Sequence, residues 1–204
     1  MKERIVFATG NQGKMKEIRL ILADLGMEIL SMKEAGVSLE IEENGKTFGE
    51  NAEIKARAVW EKTGGIVLAD DSGLVIDYLN GEPGIYSARY MGEDTSYEIK
   101  NRALIDRMAG VEGQDRSVRF VCNIAAVLPD GQAVHTEETM EGLIAYEPAG
   151  EGGFGYDPIL YLPEYGKTSA EISIEEKNRI SHRGKALEAM KVRLKEIFGE
   201  EEMR

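Results

Sequence analysis

Two adjacent carboxylates, Asp70 and Asp71, close the apolar run Ile66-Val67-Leu68-Ala69 and stand before Ser72-Gly73, after which the apolar pattern resumes as Leu74-Val75-Ile76. Neighbouring carboxylates repel each other unless a cation or a shared proton intervenes, so the pair asks for a partner that a single Asp would not need. The alternative is an Asx-turn in which one Asp satisfies loop amides. Upstream, Thr9-Gly10-Asn11-Gln12-Gly13-Lys14 follows the apolar run Ile5-Val6-Phe7-Ala8. A glycine loop before a helix N-terminus aims backbone amides and partial positive charge at an anion, and Lys14 adds a full charge. The glycine spacing is neither that of a P-loop nor G-x-G-x-x-G, so a plain β-α connection competes with a phosphate site.

Three other groups carry polar chemistry. The acidic stretch Glu40-Ile41-Glu42-Glu43 reads as a solvated loop or as a source of metal ligands. Gly152-Gly153-Phe154-Gly155-Tyr156-Asp157-Pro158 sets two aromatics and a carboxylate among glycines, which lets a flat ligand approach the backbone, although a hairpin end has the same look. Lys177, His182 and Arg183 gather positive charge late in an acidic chain.

These residues need elements to hold them. Ile66 to Ala69 reads as a buried strand that ends at the Asp pair, with Ser72-Gly73 turning the chain away and leaving the carboxylates at the strand's carboxyl end. Ile5 to Ala8 and Met27 to Met32 are further strands, and Met15, Ile18, Leu22 and Leu25 mark a helix stopped by Gly26. Thr47 with Glu50 has capping-box spacing and opens a helix with Phe48, Ala52, Ala56 and Val59 on one face, stopping at Gly64-Gly65. Lys55 lies off that face and points to a site or to water. Thr95 with Glu98 opens a helix carrying Leu104 and Met108 inward. Ser173 with Glu176 opens another, and a final helix turns Leu187, Met190, Leu194 and Ile197 inward. Val118 to Leu128 and Ala133 to Thr139, joined by Pro129-Asp130-Gly131-Gln132, form a hairpin, in which His135 is a strand surface residue.

A net charge of −12 over 204 residues excludes a broad basic face for nucleic acid or anionic lipid, so an anionic ligand would have to be met locally. The single cysteine, Cys122, excludes an intramolecular disulfide and reads as a small buried hydrophobe. Met1-Lys2-Glu3-Arg4 leads into an apolar run too short for a signal peptide, and no stretch approaches the roughly 18 apolar residues of a membrane span. The expectation is one soluble, cytoplasmic domain over residues 1–204, compact or tightly two-lobed.

Taken together, Thr9-Gly10-Asn11 with Lys14, Phe48-x-Glu50-Asn51-Ala52, Ala69-Asp70-Asp71-Ser72-Gly73, Gly84-Ile85-Tyr86-Ser87-Ala88-Arg89, Gly152 to Pro158 and Ser181-His182-Arg183 resemble the inosine triphosphate pyrophosphatase family, especially bacterial members acting on dITP, ITP and XTP. The blocks keep the family's order and span nearly the whole chain. The resemblance implies an α/β fold: an elongated mixed central β-sheet flanked by helices, two lobes with the active cleft between them, and a homodimer. It implies hydrolysis of a purine nucleoside triphosphate to the monophosphate and pyrophosphate with Mg2+, removing nucleotides that would be misincorporated into DNA and RNA. By residue, it implies that Thr9, Gly10, Asn11, Gln12, Gly13 and Lys14 hold the phosphates and that Asp71 activates water. Glu42 and Asp71 contact magnesium, with Glu43 an alternative alignment for Glu42. Ser72 touches substrate, Phe154, Gly155, Tyr156 and Asp157 line the base pocket, and Lys177, His182 and Arg183 read the purine.

The chemistry of the residues agrees. A triphosphate carries about four negative charges, which an acidic protein would collect with Lys14, Lys55 and a metal. Magnesium held by one or two carboxylates and substrate phosphates suits an Asp pair better than a His-rich site. A Maf-type nucleotide pyrophosphatase and a non-catalytic nucleotide-binding module are the competing readings.

Overall fold

The computed structural model describes residues 4–199; the charged start Met1-Lys2-Glu3 lies outside them. Seven strands form one open, mixed sheet in the order β2-β1-β3-β4-β5-β6-β7. They are β1 (Arg4–Phe7), β2 (Glu28–Ser31), β3 (Ile66–Ile76), β4 (Ser117–Val127), β5 (Ala133–Ile144), β6 (Leu160–Leu162) and β7 (Lys167–Thr168). The helices are α1 (Gln12–Ile21), α2 (Phe48–Thr63), α3 (Tyr97–Arg107), α4 (Ile174–Ile180) and α5 (His182–Phe198). β1 pairs parallel with both β2 and β3, while β5, β6 and β7 pair antiparallel in series. A turn from Leu128 to Gln132 joins the neighbours β4 and β5, a connection too short for parallel strands, so the expected hairpin is present.

The described chain divides into two compact units. The first takes the chain up to Asp71, Cys122–Glu138 and the chain from Arg183 on; the second takes Ser72–Val121 and Thr139–His182. Strand alternation organises the first. On β1, Ile5 and Phe7 join the apolar cluster that α1 and α5 cover through Met15, Ile18, Ala186, Leu187, Met190 and Leu194. Val6 and Ala8 join the opposite cluster, covered by Ala52, Ala56 and Val59 of α2. β3 follows the same parity, with Ile66 and Leu68 on the α1/α5 face and Val67 and Ala69 on the α2 face. Cys122 is fully buried in the first of these clusters. The second unit has its own core, in which Leu74, Leu104, Met108, Phe120, Ile144 and Ile159 are central.

Several boundaries differ from the sequence reading. β3 does not stop at Asp70-Asp71 but continues through Ser72-Gly73 to Ile76. What ends there is its parallel partner: β1 pairs as far as Phe7 opposite Leu68, with Ala8 N donating to Leu68 O. Beyond that point Leu74 N donates to Ser87 Oγ and Val75 bridges to Pro83, which keeps the backbone extended and its polar groups satisfied. The carboxylates therefore lie in mid-strand. α1 begins at Gln12, placing Lys14 in its first turn, and ends at Ile21, with a short 3-10 turn at Ala23–Leu25 before Gly26 in the left-handed region. Ser96 rather than Thr95 caps α3 by accepting from Ile99 N, because the Thr95 hydroxyl donates to Met91 O. Ile197, expected inward, is 44% exposed.

Candidate active site

Because side chains on a strand alternate, Asp70 falls on the α1/α5 face and Asp71 on the α2 face. Each meets cations from the helices that cover its face. Lys14 from α1 lies 2.9 Å from Asp70 Oδ2, and Arg183 from α5 lies 3.3 Å from the same oxygen. Arg183 also donates to Glu17 Oε2 at 2.6 Å. On the other face, Lys55 donates to Asp71 Oδ1 (3.2 Å) and to Glu43 Oε2 (3.1 Å), while Asn51 Nδ2 donates to Asp71 Oδ2 (3.2 Å). The repulsion expected of neighbouring carboxylates is thus relieved by separation across the sheet and by separate cations.

The two environments drive ionisation in opposite directions. Burial pushes the Asp70 carboxyl up, but the charges of Lys14 and Arg183 outweigh it and hold the group far below the usual carboxylate range. Burial raises Asp71; Lys55 opposes this, but Glu43 adds to it, and the group stays above its ordinary value. Burial lowers Lys55, yet Asp71, Asp70 and Glu43 outweigh it and keep the ammonium charged. Two carboxylates whose surroundings separate them in this way are candidates for different roles, the raised one for proton transfer.

Beside them lies a pocket of about 380 Å³ lined by Thr9, Gly10, Lys14, Glu43, Lys55 and Asp70, with Ala8, Met32, Val37, Leu39 and Ile41 among its apolar walls. Asn11 is the N-cap of α1: its side chain accepts from Lys14 N, and its own N–H donates to Thr9 Oγ1. Gln12 and Gly13 are exposed at the helix start. Of the two acidic candidates, Glu43 faces Lys55 and lines the pocket, whereas Glu42 is exposed and does not line it. Ser72, the next position of β3, is half-buried.

In the second unit the glycine-rich block is organised by Asp157, which is 3% exposed. Its Oδ2 accepts from Phe154 N and from Lys177 Nζ, each at 2.7 Å, and its Oδ1 accepts from Ser169 Oγ at 2.8 Å. Gly153 sits at φ +72°, and a Cβ there would come within 2.2 Å of Asp157 Oδ2. Phe154 keeps 37% of its surface exposed, with the Lys177 ammonium 4.9 Å from its ring centre. Tyr156 donates to Ser87 O and packs edge-on to Tyr97, while Asn101 holds Gly155 O. His182 stacks on Phe120. Lys177, His182 and Arg183, grouped by the sequence, therefore have different partners: Asp157, Phe120, and Asp70 with Glu17.

Sequence reasoning gave no role to Asn51, Glu17, Asn101 or Ser169. Asn51 lay inside a quoted motif, and its position four residues before Lys55 was the available signal. Glu17 could have been found as the residue one turn after Lys14. Nothing local marks Asn101 or Ser169, which act through long-range contacts.

A family model described as the Ham1 family matches residues 5–193. A Thermus thermophilus protein named dITP/XTP pyrophosphatase is 50% identical over 92% of this chain and 89% of its own. One of the same name from Clostridium perfringens is 45% identical over 96% of this chain and 99% of its own. The solved Ham1 protein of Staphylococcus aureus superposes with a TM-score of 0.85 at 41% identity, covering 95% of this chain and 98% of that one. A mixed sheet flanked by helices, with paired carboxylates met by lysines beside a pocket, is the frame of a nucleotide-hydrolysing α/β protein. The chain belongs to the Ham1 family, which bears out the resemblance read from its motifs.

Proposed function

We propose that this protein hydrolyses dITP, ITP and XTP to the nucleoside monophosphate and pyrophosphate. Membership of the Ham1 family and relatives named dITP/XTP pyrophosphatase support the reading. The observation that carries it is the geometry of the pair: Asp70 meets Lys14 and Arg183 on one face of β3, and Asp71 meets Lys55 and Asn51 on the other. Lys14 and the loop from Thr9 to Gly13 take the phosphates. Asp71 accepts a proton from a water as its oxygen attacks the α-phosphorus. The α-β anhydride bond breaks, its electrons leave on pyrophosphate, and Lys55 stabilises the charge that develops.

The donor set suits magnesium. Glu43 and Asp71, both paired with Lys55, supply two carboxylates of the kind a magnesium site shared with phosphates uses. Glu43 and Asp71 would hold it, and when bound it neutralises phosphate charge. In the second unit the half-exposed Phe154 ring offers a stacking face, and Lys177, fixed by Asp157, offers donors to a 6-oxo purine, which an adenine amino group cannot accept. A homodimer and a cytoplasmic setting belong to this reading, tested by light scattering and cell fractionation. No described helix is long and apolar enough to cross a membrane.

The deciding experiment is a phosphate-release panel on ITP, dITP, XTP, dATP and dGTP with magnesium, run with and without added inorganic pyrophosphatase. Phosphate that appears only with the added enzyme, on the first three substrates, is the expected result. Tight ITP binding without turnover, or direct orthophosphate release, would overturn the assignment.

A further inference from the structure

Asn51 is fully buried on α2, and the two ends of its side-chain amide face opposite demands. Its Oδ1 accepts the Gly45 N–H at 2.8 Å, and its Nδ2 donates to Asp71 Oδ2 at 3.2 Å. The first bond fixes the orientation of the amide, and the second follows from it: one end must be an acceptor and the other a donor. Asp at this position would set a second carboxylate against Asp71, and Leu, of similar shape, would satisfy neither group. Lys55, one turn later, grips the other Asp71 oxygen and also Glu43, two residues before Gly45. Helix α2 therefore holds Asp71 at both oxygens and holds the acidic loop at two points.

We propose that Asn51 is the positioning residue that sets the spacing between Asp71 and the Glu43 loop, and so the geometry of the two carboxylates offered to the divalent cation. This rests on the metal-dependent reading above. Residues 32–46 contain no helix or strand. Met32, Val37, Leu39 and Ile41 seat the loop's first part on the α2-face cluster, while its acidic end is held from α2 by Asn51, Lys55 and Glu50, whose Oε2 accepts from Lys46 N. Gly45 is part of the device, because a Cβ there would fall 2.6 Å from Asn51 Oδ1 and 2.9 Å from Asn51 N, displacing the loop from the amide.

The test compares Asn51→Leu and Gly45→Ala with the wild type in two assays. One titrates Mn2+ into each protein by electron paramagnetic resonance, which needs no turnover. The other measures kcat and KM for ITP across magnesium concentrations. Both variants should weaken Mn2+ binding and raise half-saturating magnesium by roughly tenfold, with kcat lower at fixed magnesium and KM at saturating magnesium within about twofold of wild type. Gly45→Ala replaces no residue of α2, although its Cβ would press on Glu50 Cβ and Asn51 N, so it carries the test if Asn51→Leu fails to fold and its own far-UV circular dichroism matches the wild type. Unchanged Mn2+ affinity in a folded variant would overturn the proposal, as would a loss of thermal stability with metal dependence intact. Failure of the wild type to hydrolyse ITP would instead overturn the pyrophosphatase reading, and the Mn2+ comparison would still decide the role of Asn51.

Discussion

A buried carboxylate loses its water, and Asp70 and Asp71 recover that loss differently. Asp70 has Lys14 and Arg183, so its folded-state pKa lies below the unfolded value of about 3.9. A depressed carboxylate contributes stability that is fully present above the unfolded pKa and is lost as pH falls through the folded one. In urea midpoints measured from pH 7 to pH 3, Asp70→Asn should lie below the wild type by a margin that holds steady until about pH 4 and then narrows. Arg183→Ala leaves Asp70 and Glu17 buried with one cation fewer, a change expected to cost about 3 to 5 kcal/mol. An Arg183→Ala midpoint equal to wild type would contradict the buried network. Asp71→Asn keeps the shape of the site but removes the base, so kcat should fall by at least roughly two decades with ITP binding little changed. Near-wild-type turnover at saturating magnesium would remove Asp71 from the mechanism.

At the level of elements, α2 decides most. Thr47 caps it by accepting from Glu50 N, and Ala52, Ala56 and Val59 seat it on the sheet while Asn51 and Lys55 reach Asp71. Thr47→Ala should cost about 1 kcal/mol, a shift of about 2 to 4 °C in Tm, and a shift within error would show that the cap is redundant. This helix was legible because cap, apolar spacing and glycine stop agree. β3 was legible only in its first half: Ser72-Gly73 has the composition of a turn, and its continuation depends on the neighbouring β4, distant in sequence, and on Ser87 and Pro83. Glu43 could not be separated from Glu42 for a related reason. In a loop without periodicity, only the contact with Lys55 distinguishes neighbouring acids. The grouping of Lys177, His182 and Arg183 came from proximity in the chain, which says nothing of partners as distant as Asp70 and Asp157.

For the whole molecule, the chain passes between its two units after Asp71, Val121, Glu138 and His182, so neither unit is a continuous segment. Unfolding one unit therefore frees chain ends that anchor segments of the other, and unfolding should be a single cooperative transition. The lone tryptophan, Trp60, reports the first unit, and far-UV circular dichroism reports both. Coincident urea transitions by the two probes are expected, and a displaced fluorescence transition would show independent melting.

The alternation along β3 also makes the fold answerable for its own errors. A slip of one residue in β3 would carry Asp70 to the α2 face and Asp71 to the α1/α5 face, exchanging their counter-ions. The small residues Val67 and Ala69 would then replace Ile66 and Leu68 against α1 and α5, so the misfolded chain would be loosely packed as well as inert. Proofreading of strand register and competence for chemistry are thus read from the same seven side chains, from Ile66 to Ser72, and a chain that passes the first test has met a condition of the second.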